Sequence, residues 1–427
     1  MTAGANQGLN SARIARPARV VGVVLALVCG LALAACAIGG STPPGATAAV
    51  GADQSAIPHQ ADPLGKRASV KVALLLPLSA KGQAGKVARG LKQAGELALF
   101  EFDRPNVLLF TKDTKGTPEG ARAAAQEAVS SGAELVLGPL YAESVSAASS
   151  VTRPAGVPMI AFSSNRSVAG SGVYLLSFLA GEDVARIIAF AAAQGKRNFA
   201  ALIPNSPYGQ IVERSFRSAV SQHGGTVATI QRYPLDANGM IEPVRSIKSV
   251  ADQAAQAGRP IDALLIPAGQ DALPTLAPIL PYNQLDTKRI KLLGTGDWDY
   301  ANVGREEVLV GGWFPAPDPQ GWREFTRRYA KTYGGVPPRI SSIAYDAVSL
   351  AVSLSNGPAG QRFTAANLTR PSGFAGVDGL FRLRQDGTAE RGLAVLEVQR
   401  FGPRQVDRAP SAFGSPQYSG LPSATVN

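Results

Sequence analysis

A near-continuous apolar run of strand length, residues 70–76, opens the folded part of the chain. The run is apolar on both faces of the predicted strand, which is typical of a central strand in a parallel sheet covered by helices. The small residues Ser79, Gly82 and Gly85 follow, and a helical spacing of apolar residues then begins at Val87. Strand, small-residue loop and helix in this order predict the first unit of an open α/β sheet.

The same alternation of apolar runs and helical patterns continues along the chain. Further strands are predicted at 107–110, 134–137, 158–162, 199–203, 227–231, 263–266 and 291–293. Helices are predicted at 117–132, 143–153, 182–193, 241–257 and 272–280. Strands joined through helices run parallel, so the pattern predicts an α/β protein with two doubly wound lobes. A ligand cleft is then expected beyond the carboxyl ends of the strands.

Composition describes a globular chain with scattered charge. The 427 residues are 45% hydrophobic and 17% charged, which is enough for two lobes. Three arginines, Arg13, Arg16 and Arg19, lie in a leader without acids. The remainder has 39 Lys and Arg against 31 Asp and Glu, a net charge of +8. These charges form no long basic run, so no nucleic-acid partner is predicted.

The leader indicates where the protein resides. The three arginines precede an apolar stretch at 20–35 that is short for a membrane span and rich in small residues, which predicts a signal peptide over 1–35. The stretch ends in Leu-Ala-Ala-Cys at 33–36, which resembles the lipobox of bacterial lipoproteins. This resemblance implies lipidation of Cys36, and the following Ala37 implies the outer membrane. Cleavage near Ala32–Ala34, with a free Cys36 thiol, is the alternative.

Two segments of biased composition flank the folded part. Residues 36–68 are rich in Gly, Ser, Thr, Pro and Ala, which predicts a flexible tether with a reach of roughly 30 Å. Residues 401–427 are rich in Pro, Ser and Gly and are predicted to be a disordered tail. The expected location is therefore the periplasmic side of the cell envelope, with a lipid anchor in a membrane.

Landmarks at the predicted strand ends resemble a known family in their order and spacing. They are Leu76–Ser79, Asp113–Thr114, Gly138–Pro139, Val157–Ser164, Tyr208–Gly209, Gly296–Asp297 and Ala344–Val348. Together they are similar to the type I periplasmic-binding fold in its leucine-binding branch. The stretches at 294–299 and 311–314 most resemble bacterial lipoproteins called penicillin-binding protein activators.

The resemblance also implies how the chain passes between its lobes. It gives lobe 1 as 69–177 plus 316–374, and lobe 2 as 178–315 plus 375–400. Three crossover segments would join them and permit hinge closure over a ligand. Residues 379–383 and 393–398 are interpreted as a closing hairpin around Asp386–Gly387.

A site for a small polar ligand such as an amino acid follows from the same strand ends. A ligand carboxylate needs hydroxyl and backbone N–H donors, and a ligand ammonium needs an acid. Four residues of lobe 1 are expected to hold the carboxylate: Ser79, Gly138, Ser163 and Ser164. Tyr208 would close from lobe 2, and Asp297 would accept the ammonium. These positions resemble ligand contacts of the leucine-binding branch.

Two departures keep a degenerate or empty cleft open as an alternative. Asn165-Arg166-Ser167 replaces the small-residue stretch of amino-acid binders, and Leu140-Tyr141 puts bulk where such binders often carry a small hydroxyl residue. Tyr208 could then be a packing residue, and Asp297 could cap a turn.

Catalysis is not predicted. The chain has two histidines and lacks nucleophile-elbow, Walker and zincin motifs, so no catalytic residue, cofactor or metal is expected. Two functions remain. One is a solute receptor that delivers an amino acid to an ABC permease. The other is an activator of peptidoglycan synthesis that contacts a peptidoglycan synthase and has a degenerate cleft.

Overall fold

The computed structural model describes residues 69–102, 105–234, 236 and 238–413. The predicted signal peptide at 1–35, the tether at 36–68, Cys36 within it, and the end of the tail at 414–427 lie outside these residues. Within the described part, the fold confirms the prediction of an α/β protein with two lobes built on largely parallel sheets.

The first lobe is built on a five-stranded parallel sheet. Its strands are β1 (Val70–Leu76), β2 (Val107–Asp113), β3 (Leu135–Leu137), β4 (Met159–Ala161) and β5 (Val173–Leu175), in the order β2-β1-β3-β4-β5. Its first helices are α1 (Gly82–Glu101), α2 (Pro118–Ser130) and α3 (Ala142–Thr152). Leu74 packs into the core on one face of the sheet and Leu75 into the core on the other. The interior position predicted for β1 is therefore confirmed.

The second lobe repeats this architecture. It contains α4 (Ala180–Ala193), β6 (Asn198–Pro204), α5 (Pro207–Gln222), β7 (Thr226–Tyr233), α6 (Ile241–Gln256), β8 (Ala263–Leu265), α7 (Leu273–Tyr282), β9 (Lys291–Leu293) and β10 (Trp313–Ala316). The side chain of Ser206 accepts a hydrogen bond from the Gly209 amide and so begins α5, with Pro207 in the first turn.

The chain then returns to the first lobe. Helices α8 (Pro319–Tyr333), α9 (Ser341–Leu354) and α10 (Ala365–Leu368) follow β10. Phe325 and Val348 from these helices share one core with Leu74 and Leu91. Burial of these apolar side chains stabilises the return, since each contributes about 1.5–3 kcal/mol when fully buried.

The last strands divide between the lobes. Strands β11 (Phe374–Gly376), β12 (Gly379–Leu383) and β13 (Ala389–Arg391) form a small antiparallel sheet. Strands β14 (Ala394–Glu397) and β15 (Arg404–Asp407) join the second sheet, whose order is β15-β14-β10-β9-β8-β6-β7.

The predicted pairing of 379–383 with 393–398 is wrong. Strand β12 pairs with β11 and β13, and the Asp386–Gly387 turn joins β12 to β13. Phe381 of β12 stacks on Phe374 at 5.7 Å in the first-lobe core, whereas β14 pairs with β10 of the second sheet. The apolar side chains of the two segments therefore pack into different cores, which separates them.

Two further differences from the prediction are the start of the C-terminal tail and an additional strand in the first lobe. The predicted tail at 401–427 begins too early, because β15 pairs with β14 through residues 404–407. Strand β5, at 173–175, was not predicted, since its three residues are too few to show a period. The chain passes between the lobes at 176–179, at 316–318 and at 392–393, which confirms three crossover segments. The third lies later than the predicted boundary at 374–375, because Phe381 and Ala389 pack in the first-lobe core.

Candidate functional site

All the predicted ligand contacts lie just beyond the carboxyl ends of strands. Ser79 follows β1, Gly138 follows β3, and Ser163 and Ser164 follow β4. In the second lobe, Tyr208 lies in the first turn of α5 after β6, and Asp297 follows β9. Because β1, β3 and β4 run parallel in one sheet, and β6 and β9 in the other, each set collects at one edge of its sheet.

Tyr208 and Asp297 form one hydrogen-bonded group with Thr295. The Tyr208 hydroxyl donates to Asp297 Oδ2 at 2.5 Å and lies 3.2 Å from Thr295 Oγ1. Thr295 Oγ1 also donates to Asp297 Oδ2, at 3.1 Å. Both donors reach the same carboxylate oxygen, which leaves Asp297 Oδ1 for another donor. Thr295 is fully buried and was not predicted as a site residue, since an isolated threonine after a strand carries no distinctive signal.

A buried tryptophan fixes the turn that presents Asp297. Residues Gly296–Trp298 form a turn of 3-10 helix, and the Trp298 indole donates to the Ile266 carbonyl at 3.0 Å. A Cβ on Gly294 would lie 2.2 Å from the Trp298 ring, so only glycine fits there. The backbone around Asp297 is therefore rigidly supported.

The Tyr208 phenol stays protonated. Burial raises the pKa of Tyr208 well above its ordinary value, and the Asp297 carboxylate and its hydrogen bond raise it further. The phenol can consequently act only as a neutral hydrogen-bond donor and acceptor. This suits a binding role.

In the first lobe, Ser79 is tied to a neighbouring strand end. Its amide donates to Asp113 Oδ1 at 3.3 Å. Burial raises the pKa of Asp113, but hydrogen bonds from Ser79 and from the Lys115 amide outweigh it and hold that pKa below its ordinary value. Asp113 thus stays ionised and, through bonds from the Ser79 amide and side chain, orders the loop in which the exposed Ser79 lies.

The other three predicted residues of the first lobe, Gly138, Ser163 and Ser164, differ in whether their hydrogen-bonding groups are already used within the protein. The Gly138 amide donates to the Ile160 carbonyl at 2.8 Å, so it is used by the sheet. Buried Ser163 accepts a hydrogen bond from the Asn165 amide at 3.2 Å, whereas Ser164 is exposed. Among the four predicted residues of this lobe, the exposed ones are Ser79 and Ser164.

Asp183, in the first turn of α4, adds a half-buried carboxylate to the second-lobe group. It accepts a hydrogen bond from the Gly296 amide at 3.0 Å. Burial raises the pKa of Asp183 to about 7; the Gly296 bond opposes this, and the negative charges of Asp297 and Glu182 add to it. Local spacing does not single out this residue, because its partner lies 113 positions away.

A cluster of arginines and acids lies where the chain crosses between the lobes. The hinge cluster consists of Phe178, Arg339, Ser342, Asp346, Asp378 and Arg391. The Phe178 ring lies between the guanidinium groups of Arg339, at 5.1 Å, and Arg391, at 4.6 Å. Phe178 belongs to the first crossover segment and Arg391 directly precedes the third, so the cluster links the regions of two connections between the lobes.

The acids of the hinge cluster are fully buried. Asp346 accepts from the Val377 amide at 2.7 Å and lies 3.6 Å from Arg391 Nη1. Asp378 lies 2.7 Å from Arg339 Nη2 and accepts from the Ser342 hydroxyl at 2.5 Å. Burial raises the pKa of Asp346 to about 7, against the lowering effect of Arg391. These contacts make the crossover region electrostatically dependent on both arginines.

Ion pairs also connect α4 of the second lobe with residues of the first lobe. Glu182 of α4 accepts two hydrogen bonds from Arg384, at 2.9 and 3.3 Å, and lies 4.0 Å from Arg166. Arg166 belongs to the Asn165-Arg166-Ser167 segment that departs from the amino-acid-binder pattern. That segment therefore lies against the second lobe.

The described residues hold neither a metal-type cluster nor a membrane span. No three His, Cys, Asp or Glu side chains among them are grouped to hold a metal ion. In the same part of the chain, no helix is both long and apolar enough to cross a membrane. The buried and half-buried acids described above contact arginines and backbone amides instead.

Comparison with known proteins identifies the family. The family model described as periplasmic binding protein matches residues 69–403. No match was found among curated proteins. The chain therefore belongs to the periplasmic binding protein family. Its members are substrate-binding proteins without catalytic activity, and membership implies a periplasmic location.

Solved structures share this fold at low sequence identity. One, from Rhodospirillum rubrum, is classed as a branched-chain amino acid ABC transporter protein (TM-score 0.68, 18% identity, 79% of this chain and 100% of that one). A substrate-binding protein from Desulfitobacterium hafniense was solved with Leu (0.56, 17%, 79% and 99%). A solute-binding protein from Rhodopseudomonas palustris was solved with 3,4-dihydroxybenzoic acid (0.55, 17%, 80% and 98%). These likenesses confirm a type I fold with leucine-binding-like neighbours.

Proposed function

We propose that the chain is a non-catalytic solute receptor that binds a small carboxylate-bearing ligand, such as an amino acid, between its lobes. The observation that carries the proposal is the Tyr208–Thr295–Asp297 group, in which a supported carboxylate keeps one oxygen for a ligand ammonium. Ser79 and Ser164, both exposed at strand ends of the other lobe, would lie against the ligand carboxylate, and the Ser164 hydroxyl would donate to it.

The ligands of two structural neighbours support this choice of chemistry. Leu and 3,4-dihydroxybenzoic acid differ in shape, yet both carry a carboxylate. Delivery to an ABC permease would then follow binding. Lipidation at Cys36 and a tether over 36–68 would keep the receptor close to a membrane on the periplasmic side.

Calorimetry with the common amino acids tests the proposal. We expect saturable binding of at least one of them, and a loss of about 10- to 100-fold in affinity for Asp297→Asn, because a charge-assisted hydrogen bond to the ammonium is replaced by a neutral one. Asp252→Asn is the matched control, since this exposed carboxylate on α6 is bonded to Lys248 and lies outside the site. Equal affinity of the two variants would refute the assigned role of Asp297.

A second function is favoured by one observation: the Tyr208 hydroxyl already donates to Asp297 within the protein. In an activator of peptidoglycan synthesis the cleft would be closed by its own side chains, and the outer surface would contact a peptidoglycan synthase. We then expect no heat from any amino acid, with either the wild type or Tyr208→Phe. Affinity capture with the full chain should recover a bifunctional synthase. Recovery of permease subunits without a synthase would contradict this alternative.

A further inference from the structure

A basic cavity lies at the end of the second lobe that faces away from the candidate ligand site. It has a volume of about 710 Å³ and is lined at Lys291, Gly311 and Arg400, among other residues. Strand β9 begins at Lys291 and leads towards Thr295 and Asp297, so the cavity and the candidate site lie at opposite ends of the same strand. We call it the distal cavity.

Cations dominate the lining of the distal cavity. They are Lys196, Lys288, Arg289, Lys291 and Arg400. One acid, Glu307, also lines it, which leaves four net positive charges from five cations and one anion. Glu307 is paired with Arg400, and Arg289 contacts Asp286 at 3.4 Å at an exposed position. Within the described part of the chain, Lys196 and Lys288 take part in no ion pair.

Lys291 is held in a fixed position at the wall of the cavity. Its ammonium donates to the Gly311 carbonyl at 2.9 Å and lies 4.3 Å from the centre of the Trp313 ring. Trp313 is itself fixed, because its indole donates to Glu397 at 3.1 Å and its ring packs edge-on against Phe190 at 4.9 Å. Lys291 is thus a positioned cation rather than a mobile surface lysine.

Burial and the neighbouring Lys196 both disfavour the charged form of Lys291. Burial lowers the pKa of Lys291 below its ordinary value, and the charge of Lys196 lowers it further, against the opposite effect of Glu397. A bound anion would relieve this repulsion between Lys196 and Lys291. The ammonium of Lys291 also has three N–H donors, of which the Gly311 bond uses one.

We propose that the distal cavity binds a multiply charged anion of the phosphate type, held by Lys196, Lys288 and Lys291. Its volume falls within the roughly 300–1,000 Å³ of small-ligand pockets. Lysine ammonium groups act as point charges that suit the several strong acceptor oxygens of a phosphate. The same chemistry could come from a free phosphate compound or from a phospholipid headgroup.

Inorganic pyrophosphate and lipid vesicles are the two probes for the full chain. Calorimetry should detect pyrophosphate binding that weakens at least 10-fold in Lys196→Glu/Lys288→Glu and weakens as NaCl is raised. The double reversal Arg122→Glu/Lys331→Glu on α2 and α8 is the matched control, since it changes the net charge equally outside the cavity. Lys196→Gln/Lys288→Gln, with a smaller change of charge, covers the case in which the reversal fails to fold.

Vesicle flotation distinguishes the source of the phosphate. A lipid anchor would bind phosphatidylcholine and phosphatidylglycerol vesicles alike, so only a loss confined to phosphatidylglycerol reports the cavity. If the cavity variants lose flotation with phosphatidylglycerol vesicles and the wild type does not bind pyrophosphate, the ligand is a phospholipid headgroup. If the wild type binds pyrophosphate and the cavity variants keep their flotation, the ligand is a free phosphate compound. If neither probe distinguishes the cavity variants from Arg122→Glu/Lys331→Glu, the proposal is overturned. The same holds if the wild type binds neither probe.

Discussion

Replacing Arg391 with methionine should lower the free energy of unfolding by about 3–5 kcal/mol at pH 8, because it leaves the buried Asp346 carboxylate without its counter-ion. Arg391 is 8% exposed, and Asp346 beside it is fully buried. The Arg391 guanidinium also packs 4.6 Å from the Phe178 ring and 5.6 Å from the Phe381 ring. Methionine keeps much of this packing volume, so the loss would be chiefly electrostatic.

The cost of Arg391→Met should depend on pH in a defined direction. In the wild type, burial raises the pKa of Asp346 to about 7 while Arg391 holds it down. Without Arg391 that pKa rises further, so the folded state takes up a proton that the unfolded state lacks. Stability of the variant should therefore fall more steeply than that of the wild type as pH rises from 5 to 8.

Chemical denaturation at pH 5 and pH 8 measures both effects. Adding Asp346→Asn to Arg391→Met should recover most of the loss at pH 8, which is the coupling expected of a buried pair. Arg404→Met is the control, because its exposed ion pair with Glu397 is worth at most about 1 kcal/mol. A loss for Arg391→Met that is equal at both pH values and unaffected by Asp346→Asn would show that packing, not charge, fixes the crossovers.

The sequence predicted those parts of the fold whose signals are local. The apolar run of β1 and the small-residue loop after it are contiguous, and so are the Thr117 cap and Pro118 at the start of α2. Thr117 accepts from the Gly120 amide at 3.0 Å, three residues on. Interactions within a few positions of each other are encoded together, so reading them in order is sufficient.

The pairing of the last strands could not be predicted in the same way. Residues 379–383 and 394–397 are both short, apolar and of strand type, and a turn lies between them. Their partners are decided by which core has room: Phe381 enters the first-lobe core, and Leu396 enters the second. That competition involves residues from the whole chain and leaves no trace in local spacing.

In the candidate site, too, some residues could be predicted from local sequence signals and others could not. Tyr208 and Asp297 could be selected because each follows a predicted strand end, and the structure places their side chains in contact. Asp183 and Arg391 could not be selected from the sequence, because a charged residue in a helix or strand is usually exposed to solvent. Their importance rests on burial against partners far along the chain, as in the bond from the Gly296 amide to Asp183.

Replacing Asp183 with asparagine should stabilise the protein by about 1–3 kcal/mol at pH 8 and have little effect at pH 4. Burial raises the pKa of the Asp183 carboxyl from 3.8 to about 7 in the folded state. Between those values the folded state holds a proton that the unfolded state has released, so stability falls as pH rises through this window. A shift of three pKa units corresponds to about 4 kcal/mol, which partial contact with solvent reduces.

In the wild type the Gly296 amide lies 3.0 Å from the Asp183 carboxylate. Asparagine removes the negative charge, while its side-chain carbonyl can still accept the hydrogen bond from this amide. Its amide would also face the carboxylates of Glu182 and Asp297, which raise the pKa of Asp183 in the wild type. Urea denaturation from pH 4 to pH 8 should show a shallower fall for the variant. The fall should not vanish, because Asp346 titrates with the same sign.

Asp252→Asn provides the comparison, since it removes an exposed charge from α6 and should change stability by no more than about 0.5 kcal/mol at any pH. If Asp183→Asn destabilised the protein and left the slope between pH 4 and pH 8 unchanged, the carboxylate would be serving as an ionised acceptor for the Gly296 amide. The turn that presents Asp297 would then depend on a negative charge beneath it. If Asp183→Asn instead stabilised the protein and reduced the dependence of stability on pH, the negative charge of Asp183 would be shown to destabilise the folded state. The protein would then carry a destabilising charge beside the candidate ligand site.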